Sequence, residues 1–151
     1  MKFICDLTVQ KLGRLLILCG YDAKIIRTNK PIEEISEESA RENRIIITRN
    51  TRVKNYHNKY VLLVEQKPYN QFKRLVKELN LELNENNFFT RCSACNLPLE
   101  KTNKSDLSDK IPELTKQNTE DFFICPSCKK IYWKQSHYDM FKEKVKKLFY
   151  L

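Results

Sequence analysis

The chain has 151 residues, of which 41% are hydrophobic and 31% charged, and 28 Lys and Arg against 19 Asp and Glu give a formal charge of +9. This composition is typical of a folded globular protein and excludes a disordered chain. No apolar run approaches the ~20 residues of a membrane span, and the first residues lack a hydrophobic signal core, so we expect a cytoplasmic protein without membrane association. The charge excess suits a polyanion such as nucleic acid, although a merely Lys-rich surface would give the same count.

Apolar strand-like segments alternate with amphipathic helical segments in the first 87 residues. The strands are predicted at residues 3–5, 23–27, 45–48 and 60–64. Helices are predicted at about 8–19, 31–43 and 72–79, with a short helical turn between the third and fourth strands. This alternation predicts an α/β fold, a parallel sheet flanked by helices and joined by right-handed crossovers.

Residues with cap chemistry mark the helix ends. Thr8 is the predicted N-cap of the first helix, and Gly20 occupies the position of a left-handed residue that would end it. Pro31 suits the first turn of the second helix, and Asn43 is a non-glycine residue able to take the left-handed cap.

Polar residues follow the predicted strand ends, where ligands gather in open parallel sheets. These residues are Asp6, Arg49, Asn50 and Glu65. A carboxylate directly after a buried strand needs a cation or hydrogen-bond donors to compensate its desolvation. Asp6 is therefore interpreted either as a ligand for a divalent metal or as a capping acid for the helix that follows.

Four of the six cysteines form two C-x-x-C pairs, Cys92 with Cys95 and Cys125 with Cys128. This spacing lets two tight turns present four sulfurs to one tetrahedral ion, so a structural zinc is predicted; two disulfides or four free thiols are the alternatives. Residues 100–121, between the pairs, are polar and are expected to form a loop-like insert.

The chain is expected to divide into an α/β domain at residues 1–87 and a zinc ribbon with a C-terminal helix at residues 88–151. The last helix is predicted at about 136–148, with its apolar positions at helical spacing.

Longer blocks of sequence carry a family resemblance. The cysteine blocks read Cys92-Ser-Ala-Cys-Asn-Leu-Pro-Leu-Glu100 and Cys125-Pro-Ser-Cys-Lys-Lys-Ile-Tyr-Trp-Lys-Gln-Ser-His137. Upstream blocks read Asp6-Leu-Thr-Val-Gln-Lys-Leu-Gly-Arg-Leu-Leu-Ile-Leu-Cys-Gly-Tyr-Asp22 and Arg44-Ile-Ile-Ile-Thr-Arg-Asn50. Together they resemble the Mut-seven C-terminal ribonuclease family, in which a PIN-like domain is fused to a zinc ribbon.

The resemblance implies a metal-dependent endoribonuclease that holds Mg²⁺ or Mn²⁺ with acids at the strand ends. Asp6 matches the family's first acid, and Glu33 or Glu34 matches a helix-borne acid, although acids in a first helical turn are ordinary. The sequence departs from the family at Asn50, where an Asp is usual, because Asn offers a neutral oxygen without charge. Glu65 would compensate if its strand paired beside the first strand.

Cations interleaved with tyrosines suit a path for single-stranded RNA. The predicted RNA-binding residues are Arg49, Arg52, Lys54 and Lys59 near the strand ends and Lys129, Lys130 and Lys134 in the ribbon. Two other functions stay open. One is a non-catalytic RNA-binding module, associated with tRNA or ribosomes, that has lost an active-site acid. The other is a protein–protein adaptor that docks through its ribbon.

Overall fold

A four-stranded parallel sheet forms the centre of the computed structural model, which describes residues 1–107, 111–134 and 136–149. The strands are β1 (Lys2–Cys5), β2 (Asp22–Ile25), β3 (Ile45–Thr48) and β4 (Tyr60–Leu62). Their order is β2-β1-β3-β4, and every neighbouring pair is parallel. The predicted α/β class is therefore confirmed.

Three helices cover both faces of this sheet: α1 (Gln10–Leu18), α2 (Ile32–Glu42) and α3 (Pro68–Leu79). Alternating strand residues supply the two cores. Phe3 and Ile47 lie in the larger hydrophobic cluster with α1 and α3, whereas Ile4 and Ile46 pack with residues of α2. A strand buried on both faces explains the unbroken apolar run in β3.

The helix ends follow local chemistry with two exceptions, and in the smaller of them Pro31 is the N-cap of α2, one residue before the first turn that was predicted for it. Gly20 has φ +89° and Asn43 has φ 51°, so both predicted left-handed caps are confirmed. The prediction of Thr8 as an N-cap is wrong: the Asp6 side chain accepts a hydrogen bond from Thr8 N, and a 3-10 turn at Leu7–Val9 precedes α1. Asp is as good a cap as Thr, and here it stands two residues earlier.

A glycine lets α1 approach the sheet closely. A Cβ built on Gly13 would lie 2.8 Å from Ile25 Cγ1 and 3.2 Å from Cys5 Cβ. Because a larger residue would overlap these atoms, Gly13 helps to fix α1 directly behind the end of β1.

A separate antiparallel sheet forms in the part of the chain that contains the two cysteine pairs. It contains β5 (Glu100–Thr102), β6 (Phe122–Ile124) and β7 (Ile131–Trp133) in the order β5-β6-β7. The prediction of a loop-like insert at residues 100–121 is wrong where β5 and α4 (Glu113–Asn118) form. Leu107 and Ile111 are buried against Phe122 and give this sheet a small core of its own.

The last helix, α5 (Ser136–Phe149), packs on the α/β core. Its Phe141 and Val145 belong to the larger hydrophobic cluster, together with Phe88. Ring centroids of Phe88 and Phe141 are 5.7 Å apart, and those of Phe89 and Tyr138 are 5.1 Å apart. The division after residue 87 stays a prediction, and α5 contributes to the core of the first part. Among the described residues, no helix has the length and apolarity to cross a lipid bilayer.

Candidate active site and metal centre

Asp6 lies where the strand order of the parallel sheet reverses. From β1 the chain continues to β2 on one side of β1, and after β2 it crosses to β3 on the other side of β1. Crevices of this kind, outside the carboxyl ends of the strands, are where open α/β sheets bind ligands. Asp6 follows β1 directly and is only 6% exposed. It is thus a buried carboxylate at the position that the topology favours for chemistry.

Hydroxyl groups hold the Asp6 carboxylate from both sides. Oδ1 accepts hydrogen bonds from Thr8 N at 2.9 Å and from Thr8 Oγ1 at 2.5 Å. The Thr48 hydroxyl donates to Oδ2. A carboxylate has about four lone-pair positions, so this arrangement leaves about one position on Oδ2 for another ligand.

The same threonines join Asp6 to the turn after β3. Arg49 N donates to Thr8 Oγ1 at 2.9 Å, and Asn50 N donates to Thr48 Oγ1 at 2.8 Å. Asp6, the two threonines and the turn at residues 49–50 therefore form one hydrogen-bonded unit. Sequence reasoning missed both threonines as site residues; their signal is a hydroxyl two residues after the acid and another directly before Arg49.

Asn50 has a local structural role. Its Oδ1 accepts a hydrogen bond from Arg52 N at 3.0 Å and so begins the 3-10 turn at Thr51–Asn55. The amide oxygen keeps a second lone pair, but it adds no negative charge to the unit around Asp6.

Glu33 and Glu34 lie exposed in the first turn of α2. Glu33 Oε1 accepts a hydrogen bond from Tyr56 OH at 2.8 Å. A hydrogen bond from its own backbone, together with Tyr56 and the nearby Arg52, lowers the pKa of Glu33. This contact places Glu33 beside the turn that follows Asn50. The Glu34 side chain makes no hydrogen bond or ion pair with any residue that the structure describes.

Glu65 lies too far from Asp6 across the sheet to compensate for the missing acid at Asn50. The supposition that its strand pairs beside β1 is wrong, because β4 pairs only with β3 among the described strands. Two strand spacings put β4 about 10 Å from β1. The Glu65 carboxylate instead lies 3.3 Å from Arg74 Nη1. Its pKa is lowered because the bonds from its own backbone and Arg74 outweigh its desolvation.

The four clustered cysteines differ from these dispersed acids. In residues 1–107, 111–134 and 136–149, they are the one set of three or more His, Cys, Asp or Glu side chains whose ligand atoms all lie within 4.8 Å of one another. Cys92 Sγ and Cys128 Sγ are 3.7 Å apart. Zn–S bonds of about 2.3 Å in a tetrahedron put neighbouring sulfurs about 3.8 Å apart, whereas a disulfide needs about 2.05 Å. The cluster therefore fits a zinc ion.

Hydrogen-bond donors favour a thiolate in this cluster. The Tyr132 hydroxyl lies 3.1 Å from Cys92 Sγ, and Cys95 N donates to the same sulfur at 3.3 Å. Burial raises the pKa of Cys92, but Tyr132 and the N–H groups of Cys95 and Ala94 outweigh burial and lower it to about 6. The thiolate is the form of cysteine that binds a metal. Cys5 and Cys19, by contrast, are buried apart, and burial raises their pKa.

The two knuckles share one backbone geometry. Asn96 and Lys129 each follow the second cysteine of a pair, and each has φ 62°. Asn96 N donates to Cys92 O at 2.8 Å, and Lys129 N donates to Cys125 O at 3.0 Å. Each knuckle thus closes on a left-handed residue, although neither sequence has a glycine there.

The first knuckle is docked on the sheet through Asn96. Asn96 Oδ1 accepts from Ala23 N in the edge strand β2 at 3.0 Å, and Asn96 Nδ2 donates to Asp22 Oδ1 at 2.7 Å. Arg91 donates to the carbonyl oxygens of Gly20 and Asn96. Sequence reasoning missed this junction, for which an Asn in a glycine-like position is the only local signal.

An ion-pair network continues from Asp22 to α2. Arg44 Nη1 lies 2.6 Å from Asp22 Oδ1, and Arg44 Nε lies 2.6 Å from Glu42 Oε2. Lys24 Nζ lies 2.7 Å from Glu42 Oε1 and also pairs with the buried Glu38. Hydrogen bonds from Lys24 and Arg44 lower the pKa of Glu42 to about 2.

The predicted RNA-binding cations fall into three places. Arg49, Arg52 and Lys54 are exposed in or next to the turn after β3, at the same strand ends as Asp6. Lys59 directly precedes β4 and so lies at the opposite end of the sheet. The three ribbon lysines, Lys129, Lys130 and Lys134, are exposed around the second knuckle.

Comparisons with known proteins give one match. The model of the Mut7-C RNAse domain family matches residues 1–145. Neither the search of curated proteins nor the search of solved structures finds a match.

Proposed function

Because the chain belongs to the Mut7-C RNAse domain family, we propose that it is a metal-dependent ribonuclease that cleaves RNA at Asp6. The observation that carries the proposal is the place of Asp6, a 6% exposed carboxylate at the point where the strand order reverses. The capping bond from Thr8 N uses only Oδ1, so capping alone does not account for the burial of the carboxylate or for the contact of Oδ2 with Thr48.

The donor set around Asp6 fits a hydrated Mg²⁺ or Mn²⁺. Mg²⁺ is usually bound through one or two carboxylates together with waters and substrate phosphates. Asp6 supplies one carboxylate with a free position on Oδ2, and Thr8 and Thr48 fix its orientation. When bound, the ion activates water and neutralises charge on the phosphate. With Asn50 in place of an acid, the affinity for the ion is expected to be low.

Cations beside Asp6 are suited to hold the RNA. Arg49 and Arg52 are exposed on the turn that is hydrogen-bonded to the Asp6 unit. Arg binds phosphate through two parallel hydrogen bonds, so these side chains can orient the backbone over the carboxylate. Glu33, which accepts a hydrogen bond from Tyr56 at the end of this turn, is proposed as an outer ligand that binds the ion through water.

The cysteine cluster is proposed to hold one structural zinc. All four positions of a tetrahedral ion would be filled by sulfur, which leaves no position for water and no catalytic role. Cysteines that bind zinc as thiolates suit a reducing compartment, and the cytoplasm is the proposed location.

A non-catalytic RNA-binding protein is the second candidate. It is favoured by the absence, among the described residues, of any three carboxylates close enough to share an ion. Asn50 in place of the usual Asp would weaken metal binding but keep the fold and the cations that can bind RNA.

The test is cleavage of labelled single-stranded and structured RNAs with Mg²⁺, Mn²⁺ or EDTA. Asp6→Asn keeps the size of the side chain and is expected to slow cleavage by about 100-fold or more, because even outer partners of metal ligands contribute about 10–100-fold. Asp106→Asn, at an exposed acid of the ribbon, is the matched control and should cleave like the wild type.

Asn50→Asp separates the two candidates. An increase in cleavage above a measurable wild-type rate supports a weakened nuclease. Binding without cleavage in the wild type, with cleavage gained in Asn50→Asp, supports the non-catalytic candidate. Equal metal-dependent cleavage by wild type and Asp6→Asn would refute the assignment of Asp6.

A further inference from the structure

A groove of about 370 Å³ lies between the edge strand β2 and the first zinc knuckle, residues 91–98. Its charged side chains are four cations and one acid, Lys24, Arg27, Arg44, Arg91 and Asp22, and it also borders Cys95 of the proposed zinc centre. The positive excess makes the groove a candidate for an anionic ligand.

Two of the four cations are already neutralised. Arg44 lies 2.6 Å from both Asp22 and Glu42, and Lys24 bridges Glu42 and Glu38. These groups form the network that joins β2 to α2. They shape the wall of the groove and leave little charge for a ligand.

Neither of the other two cations, Arg27 and Arg91, forms an ion pair with a residue that the structure describes. Arg27 is exposed and makes no hydrogen bond or ion pair with any residue that the structure describes. Arg91 donates to the carbonyl oxygens of Gly20 and Asn96, which are neutral acceptors, and its charge also acts on Asp22 and helps to lower the pKa of that carboxyl. The least compensated charge of the groove therefore lies at Arg27, followed by Arg91.

Arg27 lies next to the candidate active site. Cys5 pairs with Ile25 in the parallel register, and Ile26 N donates to Cys5 O at 2.8 Å. Arg27 is thus one residue beyond the level of Asp6, on the adjacent strand about 4.8 Å away. From Arg27 back to Asp22 the strand covers about 16 Å, so the groove leads from the active site to the knuckle.

We propose that this groove binds the sugar-phosphate backbone of the RNA on one side of the cleaved bond, with Arg27 on the phosphate nearest Asp6 and Arg91 on one farther along. The inference rests on the proposed ribonuclease function for its choice of RNA. No aromatic ring lines the groove among the described residues, so it offers no platform for base stacking. Binding there is therefore tolerant of sequence and dependent on length.

An extended acidic peptide is the competing ligand for an edge strand, but the knuckle disfavours it. Strand addition needs a free row of N–H and C=O groups. Ala23 N, in the middle of the short strand β2, already donates its hydrogen bond to Asn96 Oδ1. Phosphate contacts to guanidinium groups need no such row.

The test measures binding of fluorescently labelled oligouridylates of increasing length in buffer that contains neither Mg²⁺ nor Mn²⁺ nor chelator, so that cleavage does not interfere and the ribbon keeps its zinc. Arg27→Ala is expected to bind about tenfold more weakly, as for loss of a charged hydrogen-bonded contact, and to lower the salt slope by about 0.7. Arg27→Lys keeps the positive charge but not the two parallel hydrogen bonds of a guanidinium group, so its affinity is expected to lie between those of the wild type and Arg27→Ala. Arg41→Ala is the matched control, since Arg41 is also exposed and without a described partner but lies in the last turn of α2.

The location is checked by photo-crosslinking RNA that carries 4-thiouridine, with crosslinks expected in residues 22–27 and 91–98. Equal losses in Arg27→Ala and Arg41→Ala would overturn the proposal, because general charge would then explain the binding. Crosslinks confined to residues 49–60 would also overturn it.

The groove and the reaction can fail separately. Metal-dependent cleavage with unchanged binding in Arg27→Ala would refute the groove and leave the ribonuclease standing. Weaker binding in Arg27→Ala by a protein that cuts no RNA would support the groove and refute the nuclease. A poly-glutamate peptide whose binding alone depends on Arg27 would assign the groove to a protein partner and overturn the RNA proposal.

Discussion

The docking of the first knuckle by Asn96 gives a quantitative prediction. Asn96→Gly removes two hydrogen bonds, the one that Ala23 N donates to Oδ1 and the one that Nδ2 donates to Asp22. Glycine adopts the φ of 62° without strain. The substitution therefore isolates the junction between ribbon and sheet from the backbone geometry of the knuckle.

The expected cost of Asn96→Gly is about 3 kcal/mol. The bond to Ala23 N is neutral and contributes about 1 kcal/mol, and the bond to the Asp22 carboxylate contributes about 1.5–3 kcal/mol. The lower part of the second range applies because the Asp22 side chain is 21% exposed. For a chain of this length such a loss lowers Tm by about 6–12 °C. Asn96→Ala should cost about 1 kcal/mol more, since Ala is strained in the left-handed region.

Lys129→Gly is the matched control. Lys129 has the same φ of 62° in the second knuckle, and its Nζ donates only to the exposed Pro126 carbonyl at 2.8 Å. Glycine there should be neutral or stabilise by up to about 1 kcal/mol. Urea unfolding with saturating zinc measures both variants, and hydrogen exchange of the Ala23 amide reports the broken contact directly. If Asn96→Gly cost no more than Lys129→Gly and Ala23 stayed protected, the docking role would be wrong.

Three further predictions concern the metal, pH and a glycine. The wild type should carry one zinc per chain in native mass spectrometry, and the double substitution of Cys92 and Cys125 by Ser should abolish zinc binding. In that variant, hydrogen exchange should show that β5–β7 lose protection while β1–β4 keep theirs. A metal-free wild type of equal stability would contradict this prediction. The folded-state pKa of Glu42, about 2, lies below its ordinary value of 4.5, so its stabilisation is complete above about pH 4.5 and is lost as pH falls towards 2; Glu42→Gln should flatten that part of the pH–stability curve, and an unchanged curve would count against the ion pairs. Gly20→Ala should destabilise by about 3 kcal/mol in thermal unfolding, because φ is +89° and the new Cβ would lie 2.4 Å from Asn87 O; a loss below about 1 kcal/mol would show that the chain relaxes there.

Local sequence signals predicted the strands, most helix ends and the cysteine cluster. The apolar run of β3 and the left-handed caps at Gly20 and Asn43 depend on neighbours within a few residues, so period and residue type suffice. The C-x-x-C pairs likewise carry their geometry in their spacing.

The site around Asp6 depends on contacts between distant residues, which these signals do not contain. Thr48 reaches Asp6 across 42 positions of sequence, and the distance of Glu65 from Asp6 follows from strand order alone. Glu38 is a further example: it looks like an ordinary surface acid of a helix, yet it is 5% exposed and paired with Lys24 and Lys30. Such pairings are visible only once the helix is laid on the sheet.

Aromatic contacts join the two ends of the ribbon segment: Phe88 and Phe89 precede it, Tyr138 and Phe141 follow it, and their rings pack together. The ribbon is therefore inserted into the α/β domain, which is called its host below, and these four rings form an aromatic stem. The chain leaves the α/β core and returns to it through this aromatic stem, so the host itself holds the two ends of the excursion together. The entropy of closing a loop rises by only about 0.6 kcal/mol for each doubling of its length. Residues between the two knuckles can therefore be lengthened or shortened at little cost to the host, while the aromatic stem must stay intact.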